Sequence, residues 1–123
     1  MPVATILLIE DCTEINENIC ELLELSGYRV FCANNGKQGL ALAKAINPHL
    51  ILCDILMPGM NGYEVIQNIM QNSETAEIPV VFLSARSEKN DINNGIKMGA
   101  KAYLIKPFGD KELFETVKQW IKS

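Results

Sequence analysis

Apolar residues occur along the chain in short continuous runs separated by longer stretches of mixed polarity. Four runs are almost entirely apolar and cover 6–9, 50–53, 80–83 and 102–105, while a fifth, at 28–32, alternates with polar positions. Continuous apolar runs of about four to eight residues are typical of strands buried on both faces, as in a parallel sheet. The pattern therefore predicts five strands.

The first and last intervening stretches have the clearest helical periodicity. The first places its apolar residues on one stripe before Gly27, which suits a helix C-terminal cap; the stripe consists of Ile15, Ile19, Leu22 and Leu23. In the last stretch, Asp110 is the candidate N-cap of the strongest stripe, made of Leu113, Phe114, Val117, Trp120 and Ile121. Both stretches are predicted to be helices packed on the sheet.

Three further helices are predicted between the central strands. The second covers 35–46 and stops before Pro48, and the third begins near Asn61, which resembles a capping box with Glu64. The fourth, over 88–98, is weaker because it contains three asparagines and a glycine; the alternative is a solvated, tolerant stretch. Strand and helix thus alternate five times, which predicts one α/β domain over 1–123 with a doubly wound parallel five-stranded sheet.

Composition and charge narrow the class of protein. The chain has 123 residues and a net charge of −4, and it lacks the clustered basic residues that bind nucleic acid or anionic lipid. Its N-terminus has no signal-peptide pattern and its apolar runs are too short to cross a bilayer. We therefore expect a cytoplasmic protein that binds neither nucleic acid nor membrane directly.

The four cysteines have no metal-ligand spacing, and the chain has one histidine, His49, to which we assign only a structural role. Free cysteines in a reducing compartment behave as small apolar residues. We therefore expect all four to be free thiols. Cys12 is the candidate for a redox role, because it alone lies beside polar candidate-site residues.

Polar residues come directly after the predicted strands. In open parallel sheets, ligands bind at this carboxyl end of the strands. Glu10 and Asp11 follow the first strand and Asp54 the third. Three carboxylates brought together repel one another unless a cation binds, and oxygen ligands without imidazole or thiolate select a hard ion such as Mg²⁺. After the fourth and fifth strands, Ser84 and Lys106 offer a hydroxyl and a positive charge suited to phosphoryl oxygens.

These residues occur within four motifs that follow one another along the chain. They are Glu10-Asp11, the segment 54–62 with the sequence DILMPGMNG, Ser84-Ala85, and 106–108 with the sequence KPF. In this order, and over the whole chain, they resemble the CheY-like receiver domain of two-component response regulators. The resemblance implies a flavodoxin-like fold with strand order 2-1-3-4-5.

The resemblance also implies the chemistry of the carboxylates. Asp54 corresponds to the aspartate that accepts a phosphoryl group from a histidine kinase or phosphotransfer protein, giving an aspartyl phosphate. Asp11, Asp54 and the backbone carbonyl of Leu56 would bind Mg²⁺, and Glu10 would act mainly through water. Such a receiver catalyses only its own phosphorylation and dephosphorylation, and it controls a downstream effector or output domain.

The remaining motif residues have implied roles around the phosphoryl group. Ser84 and Lys106 would hold its oxygens, with a cis peptide bond expected after Lys106. Ser84 and Tyr103 would form the conformational switch that alters the face made by the fourth helix, fifth strand and fifth helix. Leu56 and Arg86 occupy positions that tune hydrolysis, and we expect a comparatively long-lived phosphoform because Leu56 cannot orient water and Arg86 can shield the group.

Two other functions remain open from the sequence. A small Mg²⁺-dependent phosphohydrolase would use the same acid cluster, but Leu56 stands where a second acid would complete turnover. A receiver-like docking module that is never phosphorylated would normally show a damaged acid cluster, whereas this one is intact. The sequence also leaves open whether the chain acts alone or belongs to a larger regulator.

Overall fold

The computed structural model describes residues 3–86 and 88–121, in which strands and helices alternate. No helix in these two ranges is long and apolar enough to span a bilayer. The strands are β1 (Thr5–Ile9), β2 (Arg29–Ala33), β3 (Leu50–Asp54), β4 (Val80–Ser84) and β5 (Ala102–Ile105). The helices are α1 (Thr13–Leu25), α2 (Gly36–Ile46), α3 (Gly62–Gln71), α4 (Lys89–Lys97) and α5 (Asp110–Trp120).

The five strands form one parallel sheet in the order β2-β1-β3-β4-β5, which confirms the predicted doubly wound, flavodoxin-like single domain. In the register of this sheet, the last residue of β1 pairs with Cys53, and the last residues of β4 and β5 pair with each other. The strands therefore end at a common edge. Four predicted site residues lie at or just beyond it: Glu10, Asp54, Ser84 and Lys106.

The sheet is buried on both faces because successive strand residues point to opposite sides. In β1, Leu7 and Ile9 join a core that includes residues of α2 and α3, while Ile6 and Leu8 join a second core with α1 and α5. All four side chains are fully buried. Removing one such side chain from water contributes about 1.5–3 kcal/mol, which explains why these runs are continuous in the sequence.

Two predicted helix starts have different outcomes. Asn61 caps α3 as expected: its side chain accepts from the Glu64 backbone and the Glu64 side chain accepts from the Asn61 backbone. The prediction of Asp110 as the α5 N-cap is wrong, because Gly109 occupies that position and Asp110 is the first helical residue. A carboxylate is favourable both at the N-cap and in the first turn, where it interacts with the helix dipole. The residue type of Asp110 therefore did not show which of these two positions it occupies.

Helix α4 is weakly packed against the rest of the domain, as its composition predicts. Within it, only Gly95 is buried, and Glu88 at the N-cap makes no side-chain capping bond. Gly95 itself is not part of a tolerant solvated stretch, since a Cβ there would lie 3.0 Å from Phe82 Cδ2 and 3.3 Å from Tyr103 Cδ2. The glycine therefore lets α4 approach the rings of β4 and β5 closely.

The cysteines depart from the expectation of four free thiols. Cys20 of α1 and Cys32 of β2 form a disulfide, whereas exposed Cys12 and buried Cys53 are free. The expectation is wrong for the first pair because α1 packs against β2, which places a helical and a strand position side by side. The spacing of Cys20 and Cys32 along the chain did not predict that they would lie in contact.

Gly62 holds the start of α3 against the end of β3, and its substitution tests that packing. A Cβ at Gly62 would lie 2.6 Å from the backbone oxygen of Asp54 and 2.7 Å from the Cα of Ile55. Because backbone atoms have little room to move, we expect Gly62→Ala to lower the free energy of unfolding by about 1–3 kcal/mol in urea denaturation. Gly109→Ala is the control, since a Cβ there meets nothing within 4 Å. Equal losses in the two variants would contradict this account.

Candidate functional site

Three carboxylates converge at the ends of β1 and β3. Glu10, Asp11 and Asp54 each place a carboxylate oxygen within 4.8 Å of the others. Glu10 is 1% exposed and Asp54 4% exposed, and the second carboxylate oxygen of Glu10 accepts a hydrogen bond from the backbone N–H of Cys12 at 3.3 Å. Negative charges this close repel one another, and the repulsion is strongest between the two buried groups, Glu10 and Asp54.

Lys106 joins two of these carboxylates across the sheet. Its Nζ donates to Glu10 Oε1 at 2.6 Å and to Asp54 Oδ1 at 3.3 Å. The lysine reaches them because it directly follows β5, at the same edge of the sheet, and its peptide bond to Pro107 is cis as expected. One ammonium therefore faces three carboxylates, which leaves the cluster with excess negative charge when all three are ionised.

Burial and the neighbouring charges change the proton affinity of Asp54. Burial, and after it the charge of Glu10, raise the pKa of Asp54 from its ordinary value of 3.8 to about 7, with Lys106 acting in the opposite direction. Burial lowers the pKa of Lys106, but its hydrogen bond to Glu10 and the charge of Asp54 outweigh burial and raise it overall. Lys106 thus stays charged, while Asp54 is only partly ionised near neutral pH without another cation.

Asn16 supports the end of β1 from helix α1, a role that was not predicted from the sequence. Its Nδ2 donates to the backbone oxygens of Glu10 at 3.0 Å and Ala33 at 3.2 Å, joining the ends of β1 and β2. The signal available in the sequence was a polar residue three and seven positions before the apolar residues Ile19 and Leu23 of one helical face. A buried polar residue on such a face needs partners.

Ser84, Arg86 and Tyr103 form a second connected group beside the cluster. The fully buried Ser84 Oγ accepts from the backbone N–H of Arg86 at 3.1 Å, and the Tyr103 hydroxyl donates to the backbone oxygen of Arg86 at 3.0 Å. The Arg86 guanidinium lies 3.7 Å from the carboxylate of Asp91 on α4. The structure therefore links Ser84 and Tyr103 through one loop residue, and it places the Arg86 side chain against α4.

Leu56 and His49 are the two remaining residues that the sequence analysis assigned a role. The side chain of Leu56, two positions after Asp54, is 50% exposed and offers no polar group to the cluster. His49 lies at the opposite end of the sheet, where its Nδ1 accepts from the backbone N–H of Thr5 at 2.9 Å. That bond supports the structural role predicted for His49.

The donor set of the cluster fits a hard divalent cation. Within the described ranges, Glu10, Asp11 and Asp54 form the one group of three or more acidic, histidine or cysteine side chains whose ligand atoms converge. All its ligand atoms are carboxylate oxygens, the type preferred by Mg²⁺. Burial and the charge of Glu10 raise the pKa of Asp54, and a bound cation would offset the contribution of the charge.

A parallel five-stranded α/β domain with such an acid cluster and a facing lysine is the arrangement of a signalling receiver domain. The sequence matches the response regulator receiver domain family over residues 6–118. The chain therefore belongs to the response regulator receiver domain family.

Similar proteins agree with this assignment. PilH of Pseudomonas aeruginosa is 34% identical over 114 residues, covering 93% of this chain and 94% of PilH. The probable transcriptional regulator ycf29 of Pyropia yezoensis is 38% identical over 116 residues, but the chain covers 52% of its length. The structure of the Vibrio cholerae chemotaxis protein CheY4 has a TM-score of 0.92 at 27% identity, covering 98% of this chain and 100% of that chain.

The raised pKa of Asp54 predicts a specific pH dependence of stability. The folded protein holds this proton more tightly than an unfolded chain, whose aspartate has the ordinary pKa of 3.8. Stability should therefore fall as pH rises from about 4 to about 7, by roughly 2–4 kcal/mol for this group. Urea denaturation in EDTA should show that Asp54→Asn removes this decrease, while Asp110→Asn, at an exposed position, retains it. Parallel pH profiles for wild type and Asp54→Asn would contradict the assignment.

Proposed function

We propose that the chain is a cytoplasmic signalling receiver that takes a phosphoryl group on Asp54 from a histidine kinase or phosphotransfer protein. The observation that carries this proposal is the position of the Asp54 carboxylate, at a strand end, within 4.8 Å of two further carboxylates and 3.3 Å from the Lys106 ammonium. The arrangement provides a nucleophile, a cation site and a positive charge within one small volume. These are the elements that phosphoryl transfer requires.

Magnesium is the proposed cofactor. Asp11, Asp54 and the backbone carbonyl of Leu56 would hold the ion, and Glu10 would act through a bound water. When bound, Mg²⁺ supplies positive charge that offsets the negative charge of the transferring group. Lys106 holds Glu10 by a short hydrogen bond of 2.6 Å and Asp54 by a longer one of 3.3 Å, which favours Asp54, together with Asp11, over Glu10 as a direct ligand.

The transfer step itself depends on residues of this chain. A carboxylate oxygen of Asp54 forms a bond to phosphorus as the bond from phosphorus to the donor's imidazole nitrogen breaks, and that nitrogen keeps the electron pair. Lys106 is held beside Asp54 before the donor arrives, so its charge needs little reorganisation. The Ser84 hydroxyl would donate to a phosphoryl oxygen of the resulting aspartyl phosphate.

The signal would leave the site through Ser84, Arg86 and Tyr103. A phosphoryl group adds about −1.5 to −2 charge and strong acceptor oxygens, so it draws the Ser84 hydroxyl towards it. Ser84 would then give up its contact with the Arg86 backbone, which is also bonded to the Tyr103 hydroxyl. Movement of this loop would reposition Tyr103 and α4, changing the α4, β5 and α5 face presented to an effector or output domain.

Two alternative functions are less well supported by the site. A phosphohydrolase would need another acid or base near Asp54, and the half-exposed Leu56 offers none. A docking module that is never phosphorylated would not require three converging carboxylates, two of them buried, beside Lys106. Treatment with a small phosphodonor separates these alternatives. A phosphohydrolase would release phosphate continuously, whereas a docking module would not be labelled.

Phosphorylation should be stoichiometric, dependent on Mg²⁺ and confined to Asp54. With acetyl phosphate and Mg²⁺, intact-mass spectrometry should show the gain of one phosphoryl group. Asp54→Asn should abolish this gain, Asp11→Ala should strongly reduce it by removing a metal ligand, and Asp110→Asn should leave it unchanged. Phosphorylation that survives Asp54→Asn, or that proceeds in EDTA, would contradict the proposal.

Phosphorylation should alter protection of the segment that leads from Ser84 to Tyr103. Because α4 buries only Gly95 among its own residues, its two positions should differ by a few kcal/mol that new charge-assisted contacts can shift. Hydrogen exchange with and without beryllofluoride and Mg²⁺ should show the largest change outside the site within this segment, with α2 as an internal control. Equal protection of the segment in both states would exclude this route.

The phosphoform should be comparatively long-lived. Leu56 has no polar group to orient an attacking water, and the exposed Arg86 side chain is able to shield the phosphoryl group if it leaves Asp91. Arg86→Ala should therefore lose phosphate faster than wild type when the decay of the phosphorylated mass is followed. Slower loss in this variant would show that the shielding interpretation is reversed.

A further inference from the structure

We propose that Cys20 and Cys32 are a reversible thiol–disulfide pair whose redox state reaches the carboxylate cluster through Asn16. The pair joins α1 to β2. Only the Mg²⁺ measurement in its test depends on the proposed receiver function. The inference rests on the accessibility of one sulfur and on the hydrogen bonds of the asparagine beside the other.

The two cysteines differ in accessibility as an exchanging pair should. Cys32 is exposed on β2, which lies at the edge of the sheet and pairs with β1 on one side. Cys20 is 8% exposed and belongs to the core between α1 and the sheet. An external thiol or disulfide therefore meets Cys32 first, and Cys20 acts as the internal partner that resolves the mixed disulfide.

The exchange requires a low-molecular-weight disulfide as oxidant. The Cys32 thiolate attacks one sulfur of this disulfide, forming a mixed disulfide and releasing one small thiol. The Cys20 thiolate then attacks Cys32 Sγ and releases the second small thiol. Two protein thiols are thereby oxidised while one small disulfide is reduced to two thiols, and a small thiol in excess drives the same steps in reverse.

Asn16 is where the redox state changes a buried hydrogen bond. The residue is 7% exposed, and its Oδ1 lies 3.5 Å from Cys20 Sγ. In the reduced protein the Cys20 thiol donates to this oxygen. A disulfide sulfur has no proton to donate, and within residues 3–86 and 88–121 no other group donates to Asn16 Oδ1. Oxidation therefore leaves a buried amide oxygen unsatisfied, which is unfavourable.

The other end of the same amide connects this change to the site. Asn16 Nδ2 donates to the backbone oxygens of Glu10 and Ala33, and the Glu10 N–H in turn donates to the Ala33 oxygen at 3.0 Å. Glu10 and the following Asp11 supply two of the three clustered carboxylates. A loosened Asn16 therefore loosens the segment that positions those carboxylates, and the reduced protein should bind Mg²⁺ more tightly.

The thiol chemistry is tested on the folded 123-residue chain. After equilibration in graded mixtures of reduced and oxidised glutathione, free thiols are alkylated and counted by intact mass. We expect two thiols to appear and disappear reversibly in wild type and in Cys12→Ser, whereas Cys32→Ser should show no intramolecular pair. A pair that keeps one state in every mixture, or that exchanges only in denaturant, would overturn the proposal.

The coupling is tested first without metal, so that it is independent of the receiver function. Backbone amide chemical shifts of Glu10 and Asp11 should differ between the oxidised and reduced protein. Asn16→Ala should remove this difference while leaving thiol exchange intact. Identical Glu10 and Asp11 shifts in the two redox states of wild type would overturn the coupling.

Calorimetric titration with Mg²⁺ measures how strongly the redox state of the cysteine pair changes the affinity for Mg²⁺. Reduction should tighten Mg²⁺ binding by about threefold, the scale of one modest hydrogen bond. In a Cys32→Ser background, Cys20→Ser keeps a donor for Asn16 and should resemble the reduced protein, whereas Cys20→Ala removes the donor and should bind less tightly. The coupling would be overturned if reduced and oxidised wild type bound Mg²⁺ equally tightly and the Cys20→Ser and Cys20→Ala variants also did so. An absence of Mg²⁺ binding in every form would instead refute the receiver function, and the metal-free shifts would still decide the redox proposal.

Discussion

The contact between the Lys106 ammonium and the carboxylates of Glu10 and Asp54 is the interaction on which the site depends. Without it, three acidic groups would lie together at a poorly hydrated edge with no internal counter-charge. With it, one positive charge faces three carboxylates, and burial together with the charge of Glu10 still raises the pKa of Asp54. In the proposed function, the same excess negative charge favours the binding of a divalent cation, which then allows transfer of a phosphoryl group.

The parallel sheet makes this contact available, since residues far apart along the chain end at one edge. Glu10 and Lys106 are brought together from β1 and β5 although two strands lie between them. Gly62 lets α3 begin directly against the Asp54 backbone, and Asn16 fastens the end of β1 to that of β2. Packing on both faces thus serves the chemistry, because it fixes the positions of carboxylates that would otherwise move apart.

Features set by local pattern were predictable from the sequence, and features set by contacts between elements were not. The strands were predicted from continuous apolar runs. The acidic residues, Ser84 and Lys106 were predicted to lie in the site because they come directly after those runs. The α5 cap was misassigned to Asp110 because neighbouring residues can serve the same helix end. The Cys20–Cys32 pair and the role of Asn16 depend on how α1 packs against β2, which no spacing along the chain reveals.

A crystal structure with Mn²⁺ in place of Mg²⁺ would test the central claim most directly, because anomalous scattering locates the ion independently of its surroundings. The account predicts one strong peak at the carboxyl edge of the sheet, with Asp11, Asp54 and the carbonyl oxygen of Leu56 at about 2.0–2.3 Å. Lys106 should remain within hydrogen-bonding distance of the cluster. A protein that binds Mn²⁺ elsewhere, or leaves these three ligands uncoordinated at saturating metal, would contradict it.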